Sequence, residues 1–371
     1  IFSGAALSGV LVSGNTVTRS FSHGIQFNTL DATSVIRNNI VQSSGRDANG
    51  SIVNANADGI RANVLAGAAE GNVAVSNTGS GIGIFTLSGA LRNNTAIGNG
   101  LFGIGIGGGG NDFTGTISGN ITNNNVDGGI SILASPVAGT LVGNVASDNG
   151  RDVDGTVVNA NAFGFRLVGA GSVTGTVSDN TAVNNTGRGF EFHGPIDAAG
   201  KATGNVAQAN GAEGFRFDGN VAGEVSGNTA LGNTGRGFFF SNLLATGQVK
   251  SNSALSNQSD GFFFNGTLAG TVEGNTSSGN GVVGSAIVDA TANGYSLVLP
   301  NTGTFRSNVA FGNANNGFSG DDDNDFTNAL GATFSSNVAN RNGDKGYRGI
   351  NNGTAVNNTG SGNLGGGNAF P

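Results

Sequence analysis

The feature that most constrains this chain is an internal repeat, typically 22 to 25 residues long. The phrase Gly-Asn-(Val/Thr)-Ala-x-x-Asn-(Gly/Thr) recurs, some copies imperfect, with its first Asn at Asn72, Asn94, Asn120, Asn144, Asn180, Asn205, Asn228, Asn252, Asn275, Asn308 and Asn337. From Asn180 the successive steps are 25, 23, 24 and 23 residues, and Asn15 and Asn39 read as degenerate earlier copies. Five residues after each anchor stands a second Asn, from Asn77 to Asn342. Such a unit cannot bury an apolar face alone, so successive copies must stack and share a core.

After the second Asn comes a short alternating strand: Gly189-Phe190-Glu191-Phe192, Gly214-Phe215-Arg216-Phe217, Gly237-Phe238-Phe239-Phe240 and Gly261-Phe262-Phe263-Phe264, with Ile in the same slots of earlier copies (Ile82 and Ile84, Ile104 and Ile106, Ile130 and Ile132). Alternation places residues i and i+2 on one face, so both flanking Phe point inward while Glu191 and Arg216 point out. A further strand, such as Gly270-Thr271-Val272-Glu273, leads to the next anchor. Three strands per coil, each paired with its equivalent one coil along, predict an all-β parallel solenoid of about fourteen coils, roughly 65 Å long at the usual strand spacing. The Asn columns are expected to form amide ladders between coils, Asn serving at tight left-handed corners. Phe192, Phe217, Phe240 and Phe264 are expected in one inward column.

These coils resemble the right-handed, single-stranded parallel β-helix repeat of the pectate-lyase-like superfamily and of many bacterial surface proteins. The resemblance rests on Gly-Asn-x-Ala-x-x-Asn-Gly-x-x-Gly-Phe-x-Phe, spans nearly the whole chain, and implies a fold rather than an activity, since that superfamily includes lyases, hydrolases, epimerases, tailspikes and adhesins. A single domain over 1–371 is expected, with loop insertions near 45–57, 150–162 and 281–293. The first two share a phrase: Gly45 to Ala57 matches Gly150 to Ala162 at nine of thirteen positions.

Charge narrows the partners. The formal net charge is −7 and the 16 Lys and Arg are scattered, which speaks against nucleic acid. No apolar run reaches the roughly eighteen residues a membrane span needs. With no Cys there is no disulfide or thiolate site. Starting at Ile1 and lacking Met, the chain is expected to be a processed or partial polypeptide, secreted or held at the cell surface.

Candidate sites are few. Asp321, Asp322, Asp323 and Asp325 offer hard oxygen ligands at the density calcium prefers, making calcium the one expected cofactor. Gly107 to Asp112 looks like the start of a calcium-binding nonapeptide, yet one copy cannot build a site that needs neighbouring turns. His23-Gly24 and His193-Gly194 resemble the His-Gly phrase of polygalacturonases without its companion residues, so both histidines are read as ordinary coil positions. Asp and Glu fall mostly at corners, whereas glycoside hydrolysis needs a facing carboxylate pair. Trp is absent and Tyr occurs only at Tyr295 and Tyr347, so a sugar platform would have to use Phe that the repeat assigns to the core.

These readings favour a non-enzymatic extracellular structural protein, a subunit of a surface fibre built by head-to-tail self-association, with surface glycans as further partners. The apolar opening Ile1 to Val12 reads as pairable rather than capped, and a heterologous end-to-end contact can propagate. The alternatives are an adhesin or passenger stalk and a polysaccharide lyase or hydrolase.

Overall fold

The corners of each coil are set by single left-handed residues. In the computed structural model, which describes residues 2–108, 112–169, 171–298, 301–320, 331–349 and 354–366, a residue at φ near +55° to +65° precedes each ladder Asn. Asn93 before Asn94, Asp179 before Asn180, Gly227 before Asn228 and Ser256 before Asn257 are examples. The expectation that the ladder Asn itself takes the left-handed position is corrected. The preceding residue turns the chain, and the Asn, buried beneath the corner, ties it to its neighbours.

Two compact units divide the chain, Ile1–Gly189 and Phe190–Pro371. In the first, seven strands in each of three sheets run parallel, one strand per sheet per coil. First-sheet strands such as Ile82–Leu87 have six residues, while those of the second and third, Ala90–Arg92 and Thr95–Ile97, have three. The second unit repeats the scheme, again with seven strands per sheet, beginning at Phe190–Phe192, Lys201–Thr203 and Val206–Gln208. The expected parallel β-helix of fourteen coils is thus present, and no helix among the described residues is long and apolar enough to cross a membrane.

The core is built in columns because pairing is in register. Phe192, Phe217, Phe240 and Phe264 form the expected inward column, their ring centroids 4.8 to 5.0 Å apart. Beside it Phe190, Phe215, Phe238, Phe262, Tyr295, Phe318 and Tyr347 form a second, with neighbouring centroids 4.6 to 5.2 Å apart. The spacing is that of the strands, so ring stacking follows from backbone pairing. Both phenols are buried and held above the ordinary tyrosine range by burial, and each hydroxyl donates to a ladder residue's carbonyl, Tyr295 to Asn275 and Tyr347 to Asn337, at 2.7 Å.

Both Asn ladders are present. Asn205, Asn228 and Asn252 lie in one, Asn210, Asn233 and Asn257 in the other, each Nδ2 donating to the Oδ1 one coil on at 2.9 to 3.0 Å. In the first unit Asn15 and Asn39 belong to the first ladder, while Ser20 and Ser44 stand where the second ladder would have its Asn. The Asn-x-Ser/Thr triplets at Asn120, Asn257 and Asn275 have their Asn in these buried columns, which closes them to glycan attachment in the folded chain.

The three insertions leave the same corner, between the third sheet and the first. Two close as small hairpins through antiparallel bridges, Arg46 to Ile52 and Arg151 to Val157, and the third pairs Val282–Val283 with Ala286–Ile287. The shared phrase builds the same turn twice: Asp47 Oδ1 accepts the Asn49 and Ser51 N–H groups at 2.9 and 2.8 Å, and Asp152 Oδ1 those of Asp154 and Thr156 at 3.1 and 2.8 Å.

Candidate functional site

While the inward face repeats, the outward face of the first sheet does not. In the frame x-Gly-Phe-x-Phe-x each coil presents three outward positions: one before the glycine, one between the two inward residues and one after them. In the second unit the first position holds Glu213, Arg236, Asp260 and Asn293 in turn, the second holds Glu191, Arg216, Phe239 and Phe263, and the third holds His193 and Asp218. Parallel register lays each column along the stack, with Glu191 opposite Arg216.

His193 stands between two carboxylates. Its Nε2 is 3.1 Å from Glu191 Oε1 and its Nδ1 is 3.4 Å from Asp218 Oδ2, the Nε2 contact lacking hydrogen-bond alignment. Glu191 is almost fully buried, with 6% of its side chain exposed, whereas His193 keeps 33%. Asp218 is fixed from its other side, where Arg216 Nε donates to Oδ1 at 2.7 Å, and a second Arg216 nitrogen reaches Glu213 Oε1 at 3.3 Å. The result is a part-exposed imidazole whose two nitrogens face carboxylates, Nε2 itself closed to solvent and Asp218 on the Nδ1 side anchored by a guanidinium. His193 thus stands in a regular outward slot of the coil, with Glu191 and Asp218, both strand residues, placed beside it by register.

Glu191, His193 and Asp218 each offer a ligand atom within 4.8 Å of the others. A metal would take one ring nitrogen, yet the carboxylates address opposite ones, so the arrangement suits proton transfer better than coordination. The calcium candidates Asp321, Asp322, Asp323 and Asp325 lie outside the described residues, as does Asn111 of the nonapeptide-like segment.

Further along the same face lies an open pocket of about 430 Å³ lined by Arg236, Asp260, Phe263, Asn293 and Arg348 among others. Asp260 is buried; its Oδ1 accepts the Asn293 N–H at 2.8 Å and the Ser296 hydroxyl at 3.0 Å, and its Oδ2 the Arg236 Nε–H at 3.3 Å. Burial raises its pKa, and the Asn293 and Arg236 contacts oppose that rise. The Arg236 guanidinium sits 3.8 Å from the Phe263 ring centroid. Phe239 and Phe263 thus face outward beneath arginines, contrary to the expectation that the repeat commits its Phe to the core.

In the first unit His23 Nδ1 accepts the Asp58 N–H at 2.8 Å. Burial, and then the nearby Arg61 charge, lower its pKa to about 4.

These residues had a signal in the sequence, the departures from apolar character at the three outward positions. A search for motifs of fixed composition passes over it, because the residues there change from coil to coil.

The sequence is similar to the family described as right-handed beta helix region over residues 153–298. A search of curated proteins gives no match. Among solved structures, the chain is similar to the A-module of the Azotobacter vinelandii mannuronan C-5 epimerase AlgE4 at 15% identity and a TM-score of 0.40, covering 96% of this chain and 87% of that one. It is also similar to endopolygalacturonase I from Stereum purpureum, solved with two galacturonates, at 14% identity and a TM-score of 0.35, covering 96% of each chain. Both of these proteins are enzymes, and the expectation of a non-enzymatic protein is corrected: a right-handed β-helix is no ground for excluding catalysis.

Proposed function

We propose that the protein acts on a polysaccharide laid along the outward face of the first sheet, with His193 as the proton-transferring group. The observation that carries this reading is the placement of His193 between Glu191 and Asp218 on an accessible strand face. Glu191, beside the solvent-closed Nε2, orients the imidazole and stabilises its protonated form, leaving Nδ1 on the Asp218 side as the nitrogen that takes a proton. Two carboxylates gripping one imidazole are not the facing pair of a glycosidase, where the sugar itself lies between the acids. Proton abstraction next to a sugar carboxylate, as in a lyase, fits better. Arg348 in the pocket on the same face, beside the Arg236–Asp260 pair, suits a uronate-bearing chain.

The test is incubation of the purified protein with polygalacturonate, alginate and a neutral glucan, following unsaturated product by ultraviolet absorbance and new reducing ends chemically. Unsaturated product from a polyuronate, lost in His193→Ala, is expected. Reducing ends without unsaturation would transfer the reading to hydrolysis, and no reaction on any substrate would overturn it.

A further inference from the structure

In the first unit the outward face holds a hollow that the proposed chemistry does not use. The second outward column there reads Gln26, Arg61, Gly83, Gly105 and Ser131, so two adjacent coils lack side chains where their neighbours carry them, and Gly83 and Gly105 are register partners. In the third column Gly107 stands between Phe85 and Leu133. These three glycines floor a pocket of about 230 Å³ walled by Phe85, Phe102 and Leu133 on its apolar sides and by Asp58, Arg61 and Ser80 on its polar side. Phe85 and Phe102 are half-buried, and Leu133 is 39% exposed.

The polar side is built rather than incidental. Asp58 has 8% of its side chain exposed. Its Oδ1 accepts the Ser80 N–H at 2.8 Å and its Oδ2 the Arg61 guanidinium at 3.1 Å. Arg61 in turn lies 4.7 Å from the Phe85 ring centroid. A Cβ on Gly83 would come within 2.7 Å of Asp58 Oδ2, so glycine there is what lets the carboxylate reach the hollow.

We infer that this pocket binds a single neutral pyranose, free or at the end of a glycan. The volume admits one six-membered ring. Aromatic and aliphatic walls match the C–H face of such a ring, and the carboxylate and guanidinium match its hydroxyl edge. Arg61 and Asp58 already neutralise each other, so no net positive charge is directed at a ligand carboxylate. The inference stands independently of the reaction proposed for the second unit.

Saturation-transfer NMR with glucose, mannose and galactose, and with galacturonate as the charged counterpart, tests it on the whole chain. At least one neutral sugar should give saturable, millimolar binding that Gly105→Val weakens by about tenfold or more and His193→Ala leaves unchanged. A Cβ at Gly105 meets only Ser80 Oγ at 3.4 Å and the Phe102 ring at 3.5 Å, so the substitution fills the pocket without backbone conflict. Should that variant misfold, Phe102→Ala, which removes one wall, is expected to weaken the same sugar. Saturable binding of galacturonate in preference to the neutral sugars, binding undisturbed by loss of the wall or filling of the floor, or no binding at all would each overturn the assignment.

Discussion

Replacing Asn228 with Leu isolates what one ladder rung contributes. Asn228 is fully buried and saturated: its Oδ1 accepts the Asn205 N–H at 2.9 Å and the Asn205 Nδ2 at 3.0 Å, while its Nδ2 donates to Asn252 Oδ1 at 2.9 Å and to the Ala202 carbonyl at 2.8 Å. Leu keeps the branching and heavy-atom count of the side chain, with bulkier ends, and removes all four. Asn252 Oδ1 keeps the backbone N–H of residue 228 at 2.9 Å, so the main damage is two donors of Asn205 left buried without acceptors. At about 1–3 kcal/mol for each orphaned donor, the loss comes to about 2–6 kcal/mol. Coils open locally, so global melting would blur the effect. Hydrogen exchange followed by mass spectrometry on peptides covering 201–208 reads it directly, and protection of the Asn205 amide should fall by about 30-fold or more. Asn220→Leu is the control: Asn220 lies on the same coil but on the outer face, where its Oδ1 accepts from Asn242 Nδ2 at 3.0 Å in an exposed contact, and it should cost less than about 0.5 kcal/mol. Equal protection in the two variants would refute the claim that the ladder holds the stack.

Phe217→Asp places a carboxylate between the Phe192 and Phe240 rings, each 4.8 Å from Phe217, and should abolish cooperative melting of the second unit, whereas Phe217→Ala should cost about 3–5 kcal/mol by denaturant titration. His193→Ala should lower turnover by about 10²–10⁴-fold with little change in substrate binding, and Asp218→Asn should lower turnover in the same direction, both read from initial rates. His23, lowered from an ordinary 6.5 to about 4, binds its proton in the unfolded chain before the folded one, so its contribution is present above pH 6.5 and is lost as pH falls through that window toward 4. His23→Gln should therefore flatten the stability profile over that window by on the order of 2–3 kcal/mol, measured by denaturant midpoints. Asp58 works in the opposite sense: burial raises its pKa, so stability is lost as pH rises through its folded value, and Asp58→Asn should remove that slope.

The fold was legible because it is dictated by what repeats. A coil survives only if its inward residues match those one strand above and below, so Phe215, Phe238 and Phe262, or Asn210 and Asn233, must recur at fixed spacing and announce themselves. The finer geometry at the corners was less visible. Gly227, Ser256, Asp179 and even Arg341 all adopt the left-handed turn, so residue type marks that position weakly, and the invariant Asn one step later drew the assignment instead.

The site was hidden by the same logic that exposed the fold. Outward side chains open toward solvent rather than into a closed core, so their size is not fixed and they are free to differ from coil to coil; an acid, a guanidinium and two aromatic rings share one column as Glu191, Arg216, Phe239 and Phe263. The candidate constellation there is assembled across coils, from His193 of one and Asp218 of the next, 25 residues apart in sequence and 3.4 Å apart in space. Spacing within a motif cannot reveal such a pair, but the repeat can, once the register it imposes is used as a coordinate system. Residues one coil apart in the same outward slot are neighbours by construction, so a His and a carboxylate sharing the third slot of adjacent coils must meet whatever their sequence distance. The same rule, applied to slots that hold glycine on consecutive coils, locates the hollow at Gly83 and Gly105. In a solenoid of this kind the inward columns report how the chain folds, and the irregularities of the outward columns are where candidate sites are to be sought.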